Sequence, residues 1–271
     1  MAEIQVRKEE KIFDGITYIA LAIYSLFVLV VLGSVLIYTS PDFLIKHLLS
    51  TDTLWSIELS LITSLITTAL ALITGIPAGY CLSRYQFRGK AIVETFIDLP
   101  ITLPPLVMGL CLLIFFATST GEFIQTHLIK FVFSAPGIVL AQYSISASFA
   151  VIAIRAAYDS IDPRYEEAAR TLGCNKVQAF LKITFPLIRR GLISGGVMVW
   201  TRAVGEFVPI LLLCGAQKGK TDIMPIAIFL QFEQGDVEGA VALTIIFLAL
   251  ASIYLSLFKK LGLKAGSQLR N

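Results

Sequence analysis

Apolar stretches long enough to cross a bilayer recur along this chain, and they leave few folds open. They run from about Ile16 to Thr39, Leu54 to Ser83, Ile92 to Ala117, Gly137 to Ala156, Gly191 to Cys214 and Val237 to Phe258. A helix needs about 20 apolar residues to cross the hydrocarbon core. Inside lipid every backbone amide must be bonded within the protein, so such runs form helices. The expected fold class is therefore an all-α polytopic membrane protein with six transmembrane helices. Composition agrees: 56% of the 271 residues are apolar and 15% are charged, against about 25% charged in soluble domains. The expected organisation is a cytoplasmic N-terminus (1–15), a transmembrane domain (16–258) and a cytoplasmic tail (259–271), with no room for a soluble enzyme domain. The first apolar run is longer than a signal-peptide core and lacks a small-x-small exit, so it reads as a retained span.

Charge fixes the expected orientation. With the N-terminus inside, the inner segments carry three basic residues at the start, three in the 84–90 loop, seven from Arg155 to Arg190 and four in the tail. The outer segments carry Lys46, Lys130, Lys218 and Lys220. Such a bias predicts both termini in the cytoplasm. The four cysteines form no C-x-x-C, and the two histidines, His47 and His127, are far apart. Buried thiols are expected rather than disulfides or a metal site.

One long polar segment interrupts the apolar pattern, the inner loop over 157–190. Its chemistry predicts two short helices. Asp162 can cap the first, with Pro163 at its first position. Gly173 stands where a left-handed residue would end it. Asn175 and Gln178 make an N-cap and N3 pair for the second, and Pro186 disturbs that helix before the next span. Glu167, Ala168, Ala169, Gly173, Ile183 and Pro186 match the Glu-Ala-Ala…Gly…Ile-x-Leu-Pro pattern, with Phe185 in place of the Leu. The segment resembles the cytoplasmic loop of ATP-binding-cassette importer permeases. The resemblance implies a coupling helix seated in a groove of a separate ATPase. Small Ala168 and Ala169 would let it sink in, and Glu166, Glu167 and Arg170 would pair at the rim.

Three further stretches bear on chemistry. Gly215-Ala-Gln-Lys-Gly-Lys-Thr221 looks like a phosphate loop but has three residues, not four, between its glycines, and follows a span rather than a strand. ATP and Mg are thus expected on a partner subunit, with no cofactor, metal or catalytic residue in this chain. Arg202 and Glu206 are four apart, as on one helix face, and lie deep in the fifth run. Two readings stand: a pathway or gate element favouring an anion, or a structural ion pair. Pro100, Pro104 and Pro105 break the third run's hydrogen-bonding, either for a gate or for packing.

Leu99, Pro100, Leu103, Pro104, Pro105, Val107 and Gly109 resemble the third span of molybdate and tungstate permeases. Arg202-Ala-x-Gly-Glu-Phe207 is similar to a signature these share with sulfate permeases, with Val204 and Val208 as departures. The resemblance implies a type I (MetI-like) transmembrane domain, a homodimer with two cytoplasmic ATPase subunits, and an extracytoplasmic oxyanion-binding protein, all at a prokaryotic inner membrane. A sulfate or thiosulfate importer is the nearest alternative. An ion-driven transporter would need an inverted repeat, and none is visible. No basic patch of the kind that binds nucleic acid stands out.

Overall fold

The computed structural model describes residues 2–38 and 40–267, with side chains described for 13–38, 40 and 43–256. Thirteen α-helices and no strand occur among the described residues. Four are long and apolar enough to cross a membrane: α1 (Ala2–Ile37), α3 (Thr51–Arg84), α7 (Ala135–Asp159) and α13 (Val237–Ser267). Two further spans are bent pairs. Helix α4 (Lys90–Thr102) turns through 110° into α5 (Pro105–Ala117), and the helical stretch ending in α10 (Phe185–Val204) turns through 54° into α11 (Val208–Cys214). Counting each pair as one gives the six expected spans. Short helices join them: α2 (Pro41–Leu48) and α6 (Ser119–His127) follow the first and third spans, α8 (Arg164–Thr171) and α9 (Lys176–Ala179) form the polar loop, and α12 (Met224–Glu233) precedes α13.

Helices α3 and α7 make the most extensive pairing, and small side chains explain it. The buried face of α3 reads Thr53, Ser56, Ser60, Thr63, Ser64, Thr67, Ala71, Gly75 and Gly79. Small residues let helix backbones approach in lipid, where no hydrophobic effect drives association. A Cβ at Gly75 would lie 3.0 Å from the Ala150 Cβ, and one at Gly79 3.0 Å from the Arg155 backbone nitrogen. The hydroxyls are satisfied locally or across the interface. Ser60 bonds back to the Ser56 carbonyl at 2.7 Å, and Thr67 donates to Gln142 Oε1 at 2.9 Å. Helix α3 continues as one helix through Pro77.

Two apolar clusters anchor the bundle. Ala71, Ala150, Ile154, Tyr158, Ile188 and Val199 join α3, α7 and α10. Phe116, Ile138, Ala141, Ile210, Leu213 and Ile226 join α5, α7, α11 and α12. Helix α1 differs from the rest, because none of the residues in its apolar window is buried.

Candidate functional site: a coupling helix and two broken spans

The polar loop folds as the two short helices its local chemistry predicts, with one shift: Pro163 is the N-cap of α8 rather than its first residue. Asp162 Oδ1 accepts from the Arg164 N–H at 2.9 Å, and α8 starts there. At the other end Gly173 has φ +93°. Its N–H donates to the Arg170 carbonyl, and the Cys174 N–H reaches back to Ala169. That pair of bonds is a Schellman C-cap, which needs the left-handed residue glycine supplies. Asn175 and Gln178 form a reciprocal capping box at 2.8 and 3.0 Å. Before Pro186 the chain makes one π-helical turn, Phe180–Thr184. Proline has no N–H to give to the preceding turn, and the wider turn accommodates it without breaking the helix.

The faces of α8 are less simple than the Glu-Ala-Ala pattern implies. Ala168 points outward with Glu167 and Arg170, whereas Ala169 is buried against the protein's own body. Glu166 is not a rim charge. Its carboxylate accepts from Tyr80 Oη at 2.7 Å and from Arg84 Nε at 3.2 Å, with the Glu166 and Arg84 side chains only 13% and 8% exposed. The α8 face that carries Glu166 is turned toward the end of α3, whereas Glu167, about 100° further round the helix, stays in solvent. Nothing in the sequence brings Tyr80 or Arg84 together with Glu166; the structure does. Beyond α8 several large apolar side chains stand open: Leu172 is 87% exposed, and Tyr165, Val177 and Leu181 are also exposed. Exposed apolar side chains on an otherwise polar loop make it a candidate interaction surface.

The two proline-marked breaks meet. Pro104 is the N-cap of α5 and Pro105 its first residue, so the third run is two helices at a steep angle, not one kinked span. Pro100 remains inside α4. The fifth run breaks at Gly205–Phe207, so Arg202 ends α10 and Glu206 lies in the linker rather than one turn up the same helix. The ion pair nevertheless forms: Arg202 Nη1 reaches Glu206 Oε2, with the Glu206 side chain 2% exposed and that of Arg202 30%. Arg202 also places its charge at the negative end of the α10 dipole. Pro209 occupies the first turn of α11, where its missing N–H costs nothing. It packs against Gly109 of α5, and α5 and α11 are in extensive contact.

On the opposite side a polar cavity of about 160 Å³ is lined by Lys46, Ser50, Asp52, Lys218, Asp222 and Gln231, among others. Lys218 pairs with Asp52 at 2.7 Å, and that carboxylate holds the lysine above its ordinary pKa. The phosphate-loop look-alike belongs to this rim. Thr221 is buried and accepts from the Gln217 N–H, which makes it a turn-former. The four cysteines are free thiols, and no cluster able to hold a metal occurs among the described residues.

Comparison with known proteins agrees with this architecture. Residues 71–262 match the family described as "Binding-protein-dependent transport system inner membrane component". The chain is 33% identical over 192 residues to the molybdate/tungstate transport system permease protein WtpB of Pyrococcus abyssi, covering 69% of this chain and 73% of that one. It is 30% identical over 213 residues to the sulfate transport system permease protein CysW of Synechocystis, covering 78% and 77%. In fold it is similar to a solved bacterial ABC transporter involved in import of the acidic polysaccharide alginate, with a TM-score of 0.74 over 93% of this chain and 96% of that one at 19% identity. Broken spans, a capped polar loop and a matched family profile lead to one conclusion: the chain belongs to the binding-protein-dependent inner membrane component family, the membrane permeases of type I ATP-binding-cassette importers.

Proposed function

We propose that this permease carries molybdate or tungstate into the cell. It would work as a homodimer with two cytoplasmic ATPase subunits, fed by an extracytoplasmic binding protein. The observation that carries the coupling half is the α8–α9 surface, where Leu172, Val177 and Tyr165 stand exposed beside Glu167, Ala168 and Arg170. The double-proline run at Pro104–Pro105, together with a molybdate/tungstate permease among the relatives, supports the substrate. ATP would close the ATPase pair and move α8 with it, shifting the spans between inward-open and outward-open states. On this reading the Arg202–Glu206 pair and the α4/α5 break would act as pathway or gate elements.

A sulfate importer is the second reading, favoured by the similarity to a sulfate permease. The two are separated by reconstituting the chain in proteoliposomes with the ATPase that copurifies with it and the binding protein. ATP hydrolysis stimulated by molybdate or tungstate but not sulfate is the expected result. Stimulation by sulfate alone would replace the substrate and keep the class.

A further inference from the structure

We infer that Glu166 is a positioning residue that fastens the coupling helix to the cytoplasmic end of α3, so that movement of α8 is delivered to that span through Arg84. The inference rests on the permease reading and adds a route for the force. Helix α8 has few ties of its own: Ala169 is its one buried side chain. Its hold on the membrane domain therefore depends on polar contacts, and those converge on the last turns of α3. Tyr80 and Arg84 both bind the Glu166 carboxylate. Arg84 Nη2 also donates to the Ile161 carbonyl at 3.0 Å, just before α8 begins. The neighbouring Ser83, which accepts from Arg84 Nη1 at 3.4 Å, donates to Asp159 at the end of α7.

Below the carboxylate, the Tyr80 ring packs edge-on against Tyr158 and against Phe180 of the π-helical turn, with centroids 5.4 Å apart in each case. The end of α3 thus touches the entry to α8, α8 itself and the turn after it. Charge-assisted bonds between nearly buried groups are strong and directional, and breaking one partner leaves the other charge stranded. Arg170 and Lys176 line the same small cavity as Glu166, but both are solvent-facing and neither approaches its carboxylate within ion-pair range. From Arg84 the span runs unbroken to its first turn, where Asp52 and Thr53 line the opposite cavity. A pull at Glu166 therefore reaches both ends of the domain along one helix.

The test measures anion transported per ATP hydrolysed in proteoliposomes of the full complex, with hydrogen exchange over 164–171 as second readout. Glu166→Gln and Arg84→Gln should each lower the ratio about tenfold, as expected for loss of a charge-assisted bond, and speed exchange in α8. Tyr80→Phe, which removes one hydroxyl, should lower it less. The reversed pair Glu166→Arg with Arg84→Glu should recover most of the ratio. A Glu166→Gln complex that transports with an unchanged ratio overturns the inference, as does a reversed pair no better than the single variants. A wild-type complex whose ATP hydrolysis drives no oxyanion uptake would instead overturn the substrate reading on which the transport assay rests.

Discussion

A side chain at position 109 has nowhere to go. A Cβ built on Gly109 would lie 2.7 Å from the Pro209 Cα, which is backbone and cannot swing aside. Gly109→Ala should therefore force α5 and α11 apart and cost about 1–3 kcal/mol, as overpacking does, visible as a lower unfolding midpoint in detergent. The neighbouring ion pair follows a different rule. Removing Arg202 strands a Glu206 carboxylate that is almost wholly enclosed. Because the arginine is partly exposed, we expect Arg202→Gln to cost about 1–3 kcal/mol, below the range for fully buried pairs. The double variant Arg202→Gln/Glu206→Gln should be more stable than that single one in a double-mutant cycle. Additive losses would mean that the two charges do not interact. The spacing of Arg202 and Glu206 revealed the pair, but not that the helix ends between them, because that depends on how α11 packs on α5.

At the scale of elements, α8 presents two alanines with opposite duties. Ala168→Trp adds bulk to the outer face, so the chain should fold and insert normally while uptake falls with any ATPase seated there. Ala169→Trp strikes the protein's own interior and should lower the yield of folded protein itself. Equal folded yields from both would refute the assignment of faces. Gly173→Ala places a Cβ at φ +93° and should cost about 1 kcal/mol at the helix end. The caps of α8 and α9 were legible in the sequence because capping is settled within three or four residues. The partner of Glu166 was not, since Arg84 lies 82 positions away. Nor was the 110° turn at Pro104: proline announces an interruption, while the direction in which the chain resumes is set by α11 and α7. The small-residue face of α3 went unread in the sequence, because small polar residues inside an apolar run do not stand out until the helix they pack against is known.

For the whole molecule, the distribution of basic residues predicts which loops meet the cytoplasm. In a cysteine-free background, Lys220→Cys should react with an impermeant maleimide added to intact cells, and Arg88→Cys only after lysis. The opposite pattern would invert the topology and put the α8–α9 surface out of an ATPase's reach. Six apolar runs were enough to establish the class, since lipid admits so few backbone solutions. One of those runs obeys a different constraint from the other five. No residue in the apolar window of α1 is fully buried against its own chain, and its contact with α13 is slight, so within a single copy its residues are selected mainly for solubility in lipid. Its sequence is then free to drift among Leu, Ile, Val and Phe wherever lipid is the neighbour, and is held fixed only where another molecule lies against it. The pattern of change along Phe13–Ile37 across related proteins would therefore be a record of what surrounds the chain.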